Sequence, residues 1–446
     1  MRLLLLFLAL MPLVSAANAQ IAPAVVATAP LQHSADSLIA VLAGGGDAAS
    51  VFAPQMLAQL PEAQIRAVAK HLVDGYGRPL NIAAFTAVEP QVAKITVRYQ
   101  RGMVDMILAI EPGAPHRLIG LRVTGTASGE ASLDQVAATI AHLPGIAGVA
   151  LSRLDADGPV PIAASNADSD FAIGSAFKLA ILAELIRATN AGERHWDDLI
   201  TLDGKPLPGG LYTQKPAGTQ VALRELAQKM ISVSDNSATD IVLATVGRDR
   251  VEAMLPVIGW RDAARNRPLL GTLEVFKLKG ANAGTLGTRW LALDERGRRA
   301  LLAGEVAATP AGAIDPLVFQ HGAPVQLGIE WFASPNDLIR TMDWIRRNTE
   351  TGAGAEARAI LGINPGIGPA RAARWRYVGY KGGSEPGVIE MTLLLRSSAG
   401  TWYALAASWN NPAAAVDEER LVALVSRAAD LVDGRAEVVP AEDRER

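Results

Sequence analysis

A chain of 446 residues, half of them apolar and a fifth charged, with a formal net charge of −3, has the make-up of a globular protein with one large or two smaller domains. That charge leaves no electrostatic footprint for nucleic acid or an anionic membrane. The absence of cysteine excludes disulfides, thiol catalysis, iron–sulfur clusters, cysteine-ligated zinc and a cysteine-linked lipid anchor. The six histidines show no metal-ligand spacing. His142, His195 and His321 read as surface residues, and neither a metal nor another cofactor is expected.

Residues 1–19 have the pattern of a secretory signal peptide: Arg2, an apolar run from Leu3 to Val14, and Ala17-Asn18-Ala19 before Gln20. The run is too short for a membrane span, no later stretch is apolar enough for one, and the expected location is periplasmic or secreted. Residues 34–124 read as a small α+β domain. Within it, residues 36–74 carry helical periodicity (Leu38, Val41, Leu42, Ile65, Val68, Leu72). Strand character follows in residues 79–123, as in Ala93–Tyr99 and Met106–Ile110, with Pro112-Gly113 as a turn and Gly125–Gly129 as a linker.

Residues 130–432 form the larger expected domain. A helix (Leu133–Leu143) and two strands (Val149–Leu154, Val160–Ala164) open it; strands at Trp375–Tyr380, Val388–Leu395 and Trp402–Trp409 and a helix at Val416–Leu431 close it. Strands at both ends with helices between them predict one sheet whose strands come from distant sequence, an α+β class in two domains. Residues 433–446 are a charged tail. The oligomeric state is left open.

The chemistry concentrates in three places. Phe171-Ala-Ile-Gly-Ser175-Ala-Phe-Lys178 precedes an apolar run, Leu179–Ile186, that reads as a buried helix. Residues three apart share a helix face, so hydroxyl and amine can meet in one cleft. The first turn favours developing negative charge, and burial lowers a lysine pKa so that the amine can accept a proton. The bland alternative is an N-cap serine with a snorkelling lysine. Downstream come Ser234-Asp235-Asn236 and Lys381-Gly382-Gly383-Ser384, the latter at the end of an expected strand.

Ser-x-x-Lys, Ser-Asp-Asn and Lys-x-Gly in that order resemble the class A β-lactamase and penicillin-binding serine hydrolase superfamily. The resemblance implies a β-lactamase/transpeptidase-like fold for residues 130–432, with Ser175 as nucleophile, Lys178 as base and Ser234 as proton relay. It implies substrate binding by Asn236, Lys381, Gly383 and Ser384, and an oxyanion hole from the backbone N–H groups of Ser175 and Ser384. The N-terminal α+β unit ahead of such a domain is similar to the two-domain β-lactamase-like proteins of clavulanate biosynthesis, and reads as a positioning or interaction module.

The sequence departs from the pattern twice. Gly382 lacks the hydroxyl that helps hold a substrate carboxylate, a loss of about 1.5–3 kcal/mol for a hydrogen bond to a charged group. Where a water-activating glutamate is expected, Glu274 is the candidate deacylation base, and a first-turn helix residue behind Gly271 or Thr272 is the competing reading. Asp262 is a weaker substitute. Arg374 and Arg396 are candidate carboxylate partners weighed against solvated strand-end arginines; Trp196, Trp260 and Trp331 read as core or rim. The expectation is an exported serine hydrolase working through a Ser175 acyl-enzyme on a small molecule: a β-lactam, an ester or a D-alanyl peptide. The alternatives are a non-catalytic binding protein and a D,D-peptidase-like enzyme.

Overall fold

The computed structural model describes residues 28–319, 324–432 and 434. The expected signal peptide, His321 and nearly all of the charged tail lie outside the described residues. The described residues divide into two compact units, one within residues 133–425 and the other of residues 28–132 together with the described residues from Ser426 onward.

In the N-terminal unit, Pro30 begins α1 (Ala29–Leu42), whose Leu31, Ala35, Leu38 and Leu42 recur at helical spacing and are buried. The short α2 (Ala48–Val51) and α3 (Pro54–Gln59) lead to α4 (Glu62–Tyr76), which buries Ile65, Ala69, Leu72 and Tyr76 and stops at Gly77 with φ 81°. Four strands follow: β1 (Pro79–Glu89), β2 (Val92–Tyr99), β3 (Gly102–Ile110) and β4 (Leu118–Ser128). They pair as an antiparallel meander in sequence order. Alternate residues of β2 and β3, among them Ile95, Val97, Val104, Met106 and Leu108, are buried, the period expected of a sheet with one covered face. The linker expected at Gly125–Gly129 is instead sheet as far as Ser128: Gly125 pairs with Asp105, Ala127 with Met103 and Ser128 with Gly102, after a register shift at Asp105/Met106. The ladder's hydrogen bonds outweigh the local glycine signal, and the bulge absorbs it.

The second unit runs α5 (Leu133–Ala141), β5 (Ile146–Leu154), β6 (Pro159–Ser165), β7 (Phe171–Ala172), a 3-10 turn (Gly174–Phe177) and α6 (Lys178–Asn190). Then come β8 (Leu199–Thr201), β9 (Gln220–Ala222), α7 (Leu223–Ser232), α8 (Asn236–Val246), α9 (Arg248–Val257) and α10 (Thr272–Gly280). Next are α11 (Thr285–Leu291), α12 (Glu295–Leu301), β10 (Phe332–Ala333), α13 (Pro335–Asn348), α14 (Ala355–Leu361) and α15 (Pro369–Ala372). The chain ends with β11 (Tyr377–Glu385), β12 (Val388–Arg396), β13 (Trp402–Asn410) and α16 (Glu418–Val432).

The antiparallel sheet has the order β11-β12-β13-β5-β6, so strands from both ends of the unit meet and β11 is an edge. β12 is buried from Val388 to Leu395, as a central strand covered on both faces must be. α6 is apolar almost all round and is buried through its first nine residues, Lys178 to Ile186, the profile of a core helix rather than a surface one. Among the described residues, no helix is long and apolar enough to cross a membrane.

Candidate active site

The turn carrying Ser175 is held by backbone. Ile173 donates its N–H to the Trp331 carbonyl at 3.0 Å, and Gly174 turns the chain at φ 48°, a region glycine enters without strain. Ser175 is half-buried, and Lys178, at the start of α6, has no exposed surface. Trp331 stacks flat on Phe177, with ring centroids 3.7 Å apart, and buttresses the turn from behind. β11 crosses in front so closely that a methyl group on Gly383 would overlap the Ile173 carbonyl oxygen and the Ser175 nitrogen. The same approach puts the Ser384 nitrogen 3.2 Å from the point where a Gly174 side chain would begin, so β11 at Ser384 packs directly against the backbone of the Ser175 turn.

Ser234 reaches this site from the loop between α7 and α8 in a left-handed conformation, φ 59°, which costs a non-glycine residue strain and persists only when its surroundings hold it. Asp235 supplies much of that hold. Its N–H bonds the Lys229 carbonyl at 3.0 Å, and its carboxylate caps α8 through Ala238 N–H at 2.8 Å. The same carboxylate accepts from Ser237 Oγ at 2.6 Å and Leu211 N–H at 2.7 Å. The Ser234 carbonyl is thereby turned onto Lys178, whose Nζ donates to it at 2.8 Å, to Ser234 Oγ at 3.1 Å and to Asn236 Oδ1 at 2.8 Å. Lys381 Nζ donates to the same Ser234 Oγ at 3.1 Å and to its neighbour Gly382's carbonyl. One hydroxyl thus sits between two buried amines.

Burial lowers the Lys178 pKa well below the usual lysine value and the nearby Lys381 ammonium lowers it further, against the pull of Asp240 and Asp235. Burial brings Lys381 down to about 8, opposed by Glu390. Glu390 itself is 1% exposed and is pushed well above the carboxylate range by the same burial. It bonds Thr392, whose Cα is the register partner of Lys381, so this carboxyl lies on the strand face that carries the lysine.

Of the residues expected at the site, Ser175, Lys178, Ser234, Asn236, Lys381, Gly383 and Ser384 converge. Ser175 Oγ makes no hydrogen bond among the described residues, because Lys178 directs its protons to Ser234 and Asn236; such contacts are often loose without substrate. Glu274 does not join them. Its Oε2 accepts from Gly271 N–H at 2.7 Å and its Oε1 from Arg248 at 2.6 Å, which makes it the capping residue of α10 rather than a free base. Asp262 caps a 3-10 turn through Arg265 N–H. The Arg396 guanidinium lies over the Trp402 ring at 5.2 Å, and Arg374 sits in the turn after α15. Trp196, Trp260 and Trp331 are buried, with their indole N–H groups on Ala353, Thr341 and Leu270. His142 and His195 are exposed.

Three residues escaped the sequence reading. Asp235 carries an N-cap signal, an aspartate opening an apolar helix. Asp240 stands one turn beyond Asn236 on α8, accepts from Thr272 and Leu273 N–H at 2.7 and 2.9 Å, and so anchors α10 within electrostatic reach of Lys178. Glu390 is hidden in an apolar strand and has no local signal.

Residues 132–307 match the sequence model of the Beta-lactamase enzyme family, in keeping with the motifs and with the antiparallel sheet and helical cluster around them. Among solved structures, a β-lactamase from Sphaerobacter thermophilus is similar at 21% identity and a TM-score of 0.48, covering 69% of this chain and 98% of that one. A β-lactamase from Chitinophaga pinensis is similar at 17% identity and a TM-score of 0.45, covering 68% and 97%. PBP-A gives 17% identity and a TM-score of 0.47, covering 68% and 96%. No curated protein sequence matches the chain. Residues 132–307 are thus similar in sequence to the Beta-lactamase enzyme family.

Proposed function

We propose that the chain is an exported serine acyl-transfer hydrolase. The observation that carries this reading is the Lys178–Ser234–Lys381 chain of contacts, in which two buried amines share one hydroxyl beside a serine on a glycine-braced turn. Ser175 Oγ attacks the acyl carbon as neutral Lys178 takes its proton, and the oxyanion gathers on the Ser175 and Ser384 N–H groups. The bond to the leaving nitrogen or oxygen breaks as Ser234 delivers a proton to that atom and is reprotonated from the lysines. Asn236 holds the acyl amide, and Lys381 attracts an anionic group. Water then releases the acyl group from Ser175. With Glu274 engaged by Arg248 and Gly271, that second step lacks a dedicated carboxylate at that position, and deacylation of β-lactams is slow. The leader pattern of residues 1–19 supports export, and the sequence boundaries support a hydrolase domain at 130–432 behind a smaller domain at 34–124.

The test is intact-protein mass over time after mixing the mature chain with a penicillin and a cephalosporin. A mass increase equal to the antibiotic, absent in Ser175→Ala, is the expected result. An adduct that survives in Ser175→Ala would overturn the assignment. Absence of both adduct and product with β-lactams, esters and D-alanyl peptides would turn the reading toward a binding protein.

A further inference from the structure

The Ser175 turn lies between two backbone segments, and one buried side chain joins them. Behind the turn, Trp331 accepts the Ile173 N–H, stacks on Phe177 and leads into β10, whose Phe332 and Ala333 pair with Ala172 and Phe171. In front, β11 crosses at Gly383 and Ser384. The residue before Trp331 is Glu330, and the residue after Ser384 is Glu385. Lys279, in the last turn of α10, donates to both, at 2.7 Å to Glu330 and 2.6 Å to Glu385. Its side chain has no exposed surface, that of Glu330 is 1% exposed and that of Glu385 17%.

This contact acts where the sheet does not. β11 is an edge strand, so only β12 holds it by ladder bonds, and Glu385 is its last residue before the turn into β12. Side chains alternate along a strand, so Glu385 shares the face of Gly383, the face pressed on the Ser175 turn. A buried ion pair adds little net stability over apolar packing, but its bonds are directional and fix the groups that make them. Burial opposes the charge on Lys279, yet Glu330 and Glu385 together raise its pKa above the usual lysine value, so it stays an ammonium with a proton for each. We propose that Lys279 is a positioning residue for acyl transfer, fixing the Ser384 end of β11 against the Ser175 turn by tying Glu385 to Glu330. The proposal rests on the acyl-transfer reading, in which the Ser384 N–H receives the oxyanion. Lys279 itself bonds neither Ser175, Lys178 nor Ser234 among the described residues, so it acts through the backbone it holds.

The experiment removes one arm of the contact. In Glu385→Ala, Lys279 and Glu330 remain as a one-to-one buried pair, so the variant folds with a urea midpoint close to that of the wild-type chain. Glu385→Gln keeps an oxygen for the Lys279 ammonium and is the conservative comparison. Acylation of Ser175 by a penicillin and by the phenyl ester of phenylacetylglycine is followed by intact mass over a range of donor concentrations, which separates the acylation rate from the affinity of the initial complex. Glu385→Ala lowers the acylation rate about tenfold or more, a share of the roughly 10²-fold that a 1 Å misplacement costs, and leaves the initial affinity unchanged. Glu385→Gln retains most of the rate. An unchanged rate in Glu385→Ala, a rate and an initial affinity that fall together, or a Glu385→Gln chain as slow as Glu385→Ala would each overturn the proposal. So would a Glu385→Ala chain that no longer folds, because the contact would then be structural. No Ser175 adduct from either donor in the wild-type chain would instead remove the acyl-transfer reading beneath it.

Discussion

Gly383→Ala tests the geometry on which the site depends. The new methyl would lie 2.8 Å from the Gly174 carbonyl carbon, about 0.6 Å inside the 3.4 Å at which ordinary contact begins, and closer still to the Ile173 carbonyl oxygen and Ser175 nitrogen. All three are backbone atoms, so no rotamer change relieves the overlap; β11 and the Ser175 turn must separate. Overpacking of this kind costs about 1–3 kcal/mol of stability. The functional loss is larger, because the Ser175 and Ser384 N–H groups move apart, and a misplacement near 1 Å costs on the order of 10²-fold in rate. The expected result is a folded variant, destabilised by about 1–3 kcal/mol in urea, that acylates about a hundredfold more slowly by intact mass. Gly304→Ala, where an added methyl meets nothing within 4 Å, serves as the control. A Gly383→Ala variant that acylates at the wild-type rate would refute the argument that this crossing sets the oxyanion donors.

Other consequences follow from the same contacts. Lys178 acts only when neutral, which its depressed pKa permits below the usual lysine range, so acylation rises with pH through that lowered value. Lys381 attracts an anion only when protonated, so the rate of acylation by a penicillin falls again above about 8. Lys381→Met removes a cation that depresses Lys178 and moves the rising limb to higher pH in the rate profile. Lys279, fully buried, bridges Glu330 at 2.7 Å and Glu385 at 2.6 Å. Lys279→Met strands those carboxylates and costs about 3–5 kcal/mol in urea unfolding. Burial and Glu330 already hold the Glu385 pKa above its unfolded value, so stability is fullest below the unfolded carboxylate pKa and drops as pH rises. The variant is accordingly weaker at pH 8 than at pH 5, and equal loss at both would contradict the buried-charge account. Glu274→Gln keeps an acceptor for Gly271 and loses only a partly exposed ion pair with Arg248, so stability changes by no more than about 1 kcal/mol and the lifetime of the acyl adduct is unaltered. A longer adduct lifetime in that variant would return Glu274 to the deacylation step.

Short-range patterns marked the candidate residues in the sequence: a serine and a lysine three residues apart before an apolar helix, then Ser-Asp-Asn and Lys-Gly-Gly, which together resemble the motifs of a known superfamily. The apolar run from Leu179 to Ile186 specifies a core helix for the same reason, because its periodicity is complete within the segment. Only the folded chain decides what depends on distant partners. Gly125 and its neighbours look like a linker until β3 pairs with them. Glu274 looks like a free base until Arg248 and the Gly271 amide claim its two oxygens. Glu390 is one polar residue in an apolar strand until register sets it on the face that carries Lys381. In each case the deciding term is a contact that local preference cannot see.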